Sequence, residues 1–181
     1  AFMYCLTSYA SPIGLLTLGS DGKHLTGLWI QGQKYFGGAI REELVQRDDL
    51  PVFAMTRTWL ERYFARERPD PSELPLAPRG GEFRQAVWEL LCQIPYGELT
   101  TYGHLAKEMA ARLGRASMSA QAVGGAVGHN PISILIPCHR VVGSDGSLTG
   151  YAGGVANKQF LLELEGVDMT GLYVPTRGTA L

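Results

Sequence analysis

The chain opens with three short stretches of alternating or β-rich character, "FMYCLTSY", "GLLTLGS" and "HLTGLWI", which predict strands separated by turns at Ser11-Pro12 and Asp21-Gly22. The period then lengthens. In "VFAMTRTWLERYFARE" the apolar residues recur at helical spacing, so the first part of the chain predicts a small α+β unit. "RPDPSELPLAP" follows, with Pro69, Pro71, Pro75 and Pro78, a density that excludes both a helix and a ladder strand. It reads as a linker, placing one domain at residues 1–78 and a second at 79–181.

Beyond the linker the pattern turns helical. "FRQAVWELLCQI" predicts a helix stopped by Pro95-Tyr96-Gly97, "TYGHLAKEMA" a second with Thr100 or Thr101 as N-cap, and "SMSAQAVGGAVG" a third. The apolar run from Ile132 to Ile136 predicts a buried strand that runs straight into Pro137, Cys138, His139 and Arg140. A hairpin-like "VVGSDGSLTG" turning on Asp145-Gly146 and a last helix, "VANKQFLLELE" closed by Gly166, complete the prediction. The tail "DMTGLYVPTRGTAL" is expected to be peripheral or partly disordered.

Composition narrows the function classes. The 181 residues carry 16 Lys and Arg against 17 Asp and Glu, a near-neutral balance without the strongly basic signature of nucleic-acid binding by charge alone. Cys5, Cys92 and Cys138 are an odd count with no pair at metal-ligand or redox spacing, which points to a reducing, cytoplasmic setting. No apolar run approaches the ~20 residues that span a bilayer, and no membrane partner is expected.

Charge is nonetheless uneven. Across residues 99–160, Lys107, Arg112, Arg115, Arg140 and Lys158 face only Glu108 and Asp145, a locally positive stretch. It includes two helices on a short connection, the second rich in small residues (Ala122, Gly124, Gly125, Ala126). That is compatible with a helix-turn-helix that lets a partner approach closely, although helix pairs with small residues are more often internal packing than DNA contacts. Cys138 could be a small core hydrophobe. Against that, His139 and Arg140 are adjacent, and a thiolate near neutral pH needs a neighbouring cation or oriented donors. In a regular strand Cys138 and His139 would face opposite ways, so a direct bond needs a turn or a bridging water. Glu163, Glu165 and Asp145 are the acids available to orient the imidazole.

Five ordered motifs, "VW.LL..IPYGE.TTYG.LA", "AVGGAVG.NP", "PCHR", "GYAGG" and "K..LLELEG", resemble the O6-alkylguanine-DNA alkyltransferases, densely over residues 83–166 and more loosely before them. The resemblance implies a ribonuclease-H-like α/β domain followed by a mainly helical domain with a winged helix-turn-helix. It implies direct-reversal repair: O6-alkylguanine, with O4-alkylthymine as a further candidate, is flipped out of duplex DNA and its alkyl group passes irreversibly to Cys138. Glu165 would hold His139, which through a water would deprotonate Cys138. Tyr102 would donate to the guanine N3, and Tyr151 with the Ala152 amide and Gly153 would cover the base and bond its O6. The carbonyls of Cys138 and Val141 would accept from its exocyclic amine, and Asn130 would tie the recognition helix to the active-site segment. DNA would be met through the minor groove by Gly103, Gln121, Ala122, Gly125, Arg140 and Ser144, with Arg112 and Arg115 on phosphates. No cofactor and a monomer are expected; some members of the family carry zinc in the first domain, but here Cys5 and His24 are the sole candidate ligands there, so no metal is expected.

Read without the resemblance, Tyr102 is a packing tyrosine, Asn130 a helix C-cap and Glu165 a solvated residue. One departure stands out: Gln121 occupies the position of an arginine that many members push into the duplex, which predicts slower flipping or weaker binding. Three rival functions differ in kind. A zinc nucleobase deaminase needs a second cysteine three residues after the first, and Val141 stands there. A cysteine hydrolase built on Cys138, His139 and Glu165 would turn over many times. A lesion-recognition module without chemistry would have no need of Cys138.

Overall fold

The computed structural model describes residues 3–37 and 40–176, and the chain forms two compact units. The first comprises Ala1–Gly80 together with Pro131–Leu135. Its sheet is built from β1 (Met3–Ser11), β2 (Gly14–Ser20), β3 (Leu25–Ile30) and β4 (Glu43–Gln46), in the order β3-β2-β1-β4. The first three strands run antiparallel and β4 pairs in parallel with β1. Helix α1 (Pro51–Phe64) starts with proline at its first turn, where the missing N–H costs nothing. It buries Val52, Phe53, Thr56, Trp59, Leu60 and Tyr63, a single stripe at helical spacing.

The Pro-rich segment is more structured than the sequence predicts. Asp70 caps a 3-10 turn at Pro71–Glu73 through a reciprocal capping box with Glu73, the Trp59 indole donates to the Asp70 carbonyl at 2.9 Å, and Leu76 bridges to Leu25 of β3. Side-chain caps and a single edge bridge satisfy this backbone where proline removes the donors for a ladder.

The second unit comprises Gly81–Asn130 and Ile136–Leu181. Helices α2 (Glu82–Leu91), α3 (Tyr102–Arg112) and α4 (Ala120–Gly128) pack on one another, and β5 (Thr100–Thr101) pairs in parallel with β6 (Val141–Val142). Thr101 caps α3 through the His104 N–H and Ser119 caps α4 through the Ala122 N–H. The Trp88 indole donates to the Ala126 carbonyl at 2.9 Å, pinning α2 to α4. Helix α5 (Val155–Leu164) closes the unit.

Three expectations are corrected. Residues 132–136 are not a strand: Ile132 makes one isolated bridge to Leu28, Ile134 sits at φ 74°, and the chain turns through Leu135 into a 3-10 turn at Cys138–Arg140. A buried β-branched residue in the left-handed region breaks the pleat that the apolar run suggests. The predicted hairpin is a tight turn over residues 143–146, after which Gly143 N–H bonds the Ser147 carbonyl, while β6 takes its partner from β5 instead. The tail is tied down as far as Tyr173, which bridges Ser147 and donates its hydroxyl to Asp145 at 2.6 Å, while Met169 and Leu172 pack on Val142, Leu148, Leu162 and Val167. Its last residues, 177–181, lie outside the described residues.

Candidate active site

The 3-10 turn at Cys138–Arg140 dissolves the geometric difficulty of two adjacent functional side chains, because a turn, unlike a strand, need not send neighbours to opposite faces. All three side chains are buried. Asn130, just past the end of α4, donates its amide to the Cys138 sulfur at 3.1 Å and to the Ile136 carbonyl at 2.8 Å. It is a buried bridge from the helix to the turn, not a simple cap.

His139 Nε2 and Glu165 Oε2 are 2.6 Å apart, both fully out of solvent, and the imidazole Nδ1 has no protein partner. Glu165 is thus inside, at the end of α5, rather than solvated. Burial alone would raise its carboxyl, but the hydrogen bond and charge of His139 and those of Arg140 hold it well below the usual carboxylate range. Burial pushes the His139 imidazole below the usual histidine range; Glu165 pulls the other way, and the charges of Arg140 and Lys158 add to the burial. Glu163 and Asp145, the other acids weighed for this role, are placed elsewhere: Glu163 bonds Gln159, and Asp145 holds Tyr173.

Burial pushes the Cys138 thiol up, against the opposing hydrogen bond from Asn130 and the charge of Lys158. The sequence expectation that Arg140 activates this thiol is therefore corrected. Arg140 turns to Glu165 instead, donating Nε to Oε1 at 2.8 Å and Nη2 to Oε2 at 3.1 Å.

Burial removes Arg140 from the DNA-facing set, and with Lys158 also buried the positive stretch keeps three of its five basic residues at the surface. Lys158 is wholly buried on α5, its ammonium donating to the Val141 carbonyl and, at 2.8 Å, to the Thr149 carbonyl. Lys107 and Arg115 remain exposed, while exposed Arg112 pairs with Glu89 and bonds the Ala86 carbonyl at 3.3 Å. The sequence reading missed Lys158 as a site residue; its place in "K..LLELEG", three residues before the apolar Leu161 and four before Leu162, puts it on the helix face they share.

Tyr102, the first residue of α3, donates its hydroxyl to the same Thr149 carbonyl at 2.9 Å, and burial pushes its phenol well above the usual tyrosine range. Lys158 lies 5.8 Å from the centre of its ring. Tyr151 is buried and edge-on to His139 at 6.5 Å, Gly153 is buried, and Ala152 is half-buried. The Val141 carbonyl, expected to meet a guanine amine, holds Lys158 with one lone pair. Gln121, Ala122 and Gly125 are exposed on α4, with open space around Gly125, Ser144 is exposed, and Gly103 on α3 lies within 3.4 Å of the Ser144 hydroxyl by its would-be Cβ. Thus Cys138, His139, Glu165 and Asn130 form one buried cluster, edged by half-buried Tyr102 and by the 149–153 loop, of which Tyr151 and Gly153 are buried, whereas Gln121, Ala122, Gly125 and Ser144 are exposed. Among the described residues no group of His, Cys, Asp or Glu could hold a metal ion, and no helix is long and apolar enough to cross a membrane.

Comparison with known proteins agrees over both units. Residues 4–78 match the family model described as 6-O-methylguanine DNA methyltransferase, ribonuclease-like domain, and residues 82–167 the model for the DNA binding domain. A methylated-DNA–protein-cysteine methyltransferase of Haemophilus influenzae is 46% identical over 159 residues, covering 88% of this chain and 84% of the relative. Its namesake in Methanosarcina barkeri is 41% identical over 169 residues, covering 86% and 92%. The crystal structure of Mycobacterium tuberculosis OGT in complex with DNA is 42% identical with a TM-score of 0.74, covering 90% of this chain and 92% of that one.

Proposed function

The chain belongs to the 6-O-methylguanine DNA methyltransferase family, and we propose that it repairs DNA by moving the alkyl group of O6-alkylguanine irreversibly onto Cys138. The observation that carries this reading is the buried relay of Cys138, His139 and Glu165, with the unpartnered His139 Nδ1 available to take a proton. A thiol raised by burial does not ionise at rest. Its proton leaves through a water to Nδ1 as the sulfur attacks the alkyl carbon. The carbon–oxygen bond breaks and its electron pair enters the purine, whose developing charge is stabilised by the Tyr102 proton donated in a hydrogen bond to N3, while the proton taken up by His139 passes back through water to the guanine anion. Tyr102 already holds that proton on a carbonyl acceptor, Thr149, so the base takes over an existing hydrogen bond. The product is a thioether with no hydrolysable bond, hence one turnover per protein.

The flipped base enters from the minor groove of duplex DNA, with α4 laid in the groove by its small residues and Gln121 filling the gap. Ala122, Gly125, Gly103 and Ser144 line the approach, and Arg115 and Lys107 supply the exposed charge. The Tyr151, Ala152 and Gly153 loop covers the base. The protein acts as a monomer in the cytoplasm.

The test incubates the protein with a duplex holding one O6-methylguanine and takes intact and peptide masses across DNA-to-protein ratios. One methyl on Cys138, saturating at one per protein, is the expected result. Many turnovers would indicate a hydrolase, and an intact lesion on an unmodified protein a recognition module.

A further inference from the structure

Arg140 is a buried charge that alkyl transfer does not itself use. Each of its three nitrogens has an acceptor: two meet Glu165, and Nη1 donates to the Ile94 carbonyl at 2.7 Å. Its guanidinium stands 5.7 Å from the centre of the Tyr96 ring. The same turn, residues 94–97, sends the Gly97 N–H to Glu165 Oε1 at 3.2 Å. Gly97 has φ 81°, and a Cβ there would lie 3.2 Å from the Glu165 carbonyl oxygen, so the turn closes on Glu165 only with glycine. The Glu165 carboxylate is therefore gripped by His139, Arg140 and Gly97 together.

The charge balance has a chemical consequence. A buried carboxylate paired with imidazole alone would draw a proton onto it, and imidazolium cannot accept from a thiol. Arg140 supplies the countercharge instead, which leaves the imidazole neutral, with one nitrogen engaged by Glu165 and Nδ1 without a protein partner. The charged and titratable groups around the imidazole are Glu165 and Lys158 from α5, Arg140 and Cys138 from its own turn, and Tyr151 from the loop.

We propose that Arg140, seated in the turn of residues 94–97, is a positioning residue for alkyl transfer: it fixes the Glu165 carboxylate and balances its charge so that His139 meets Cys138 as a neutral base. This rests on the transfer to Cys138 proposed above. Arg140 never touches the substrate; it acts through Glu165 and His139.

The test compares wild type with Arg140→Met and Arg140→Lys in single-turnover methyl transfer from an O6-methylguanine duplex, as a function of pH, with DNA affinity and thermal unfolding measured alongside. Arg140→Met is expected to slow transfer about tenfold or more at neutral pH, part of the ~100-fold that a positioned base supplies. It also moves the acid limb of the rate profile to higher pH, because the imidazole loses the countercharge that keeps it neutral. Arg140→Lys keeps the charge but not the forked bond, so its rate falls while the limb stays near the wild-type position. DNA affinity stays at the wild-type level in both. A folded Arg140→Met protein with the wild-type rate and limb overturns the proposal. Should that variant fail to fold, wild-type kinetics in Arg140→Lys overturn it equally. Wild type that transfers normally while the variants do too sinks the positioning role alone, whereas wild type that never methylates Cys138 sinks the transfer reading and this role with it.

Discussion

Asn130 donates to the Cys138 sulfur at 3.1 Å with the same amide that holds the Ile136 carbonyl at 2.8 Å. Asn130 and Ile136 flank residues 131–135, which belong to the first unit, while both flanking residues belong to the second. One side chain therefore closes the base of the excursion and presents a donor to the nucleophile. Asn130→Ala removes both bonds and leaves the Ile136 carbonyl with the Cys138 N–H, at 2.8 Å, as a remaining donor, so the loss is that of two hydrogen bonds, about 1 kcal/mol each in urea unfolding. It also removes an influence that lowers the thiol, so alkylation of Cys138 by iodoacetamide shifts to higher pH. An unchanged alkylation profile in the folded variant would contradict the assignment.

Lys158 makes alkaline stability informative. Burial lowers its ammonium from 10.5 to about 8, opposed by the charge of Cys138. The unfolded lysine keeps its proton up to 10.5, so between about 8 and 10.5 the unfolded state binds more protons and this group's contribution to stability rises with pH. Below that window the buried ammonium costs about 3 kcal/mol, the equivalent of the shift. Urea unfolding of wild type and Lys158→Met across the window should show a rise in wild type that the variant lacks. A stability difference between the two that does not vary with pH would refute the linkage.

Gly150 opens the loop that precedes Tyr151. It has φ 79°, and a Cβ there would stand 2.6 Å from the Tyr102 hydroxyl. Gly150→Ala combines left-handed strain of about 1–2 kcal/mol with displacement of that hydroxyl. We expect a lower unfolding midpoint and slower methyl transfer, measured by thermal melting and single-turnover kinetics. Loss of stability without loss of rate would separate the loop from the reaction.

Gln121 is exposed on α4 and supplies no charge. Gln121→Arg should tighten duplex binding, steepen the dependence of log affinity on log salt by about 0.9, and speed repair of O6-methylguanine. Titration of a labelled duplex at several salt concentrations, paired with transfer rates, checks this. Unchanged affinity and rate would show that Gln121 does not fill the place of the flipped base.

Several features were legible in the sequence because they are local. The stripe of α1 and the N-cap of α3, placed at Thr100 or Thr101, each depend on neighbours within a turn or two, where periodicity and backbone sterics operate. Residues 132–136 were not, because an apolar run reports burial without backbone shape; the φ of Ile134 is set by contacts distant in sequence.

The sequence by itself determined that Cys138 and His139 lie together, that the family motifs stand in register, and that Glu165 ends a helix downstream. Only the tertiary structure decided where the charges go. Arg140 and Lys158 count as surface cations in any sum over the chain, yet both are buried: Arg140 pairs with Glu165, and Lys158 rests on two carbonyls. The reason is that burying a cation is costly unless acceptors converge on it, and those acceptors come from residues as far away as Ile94 and Glu165, which no local pattern brings together.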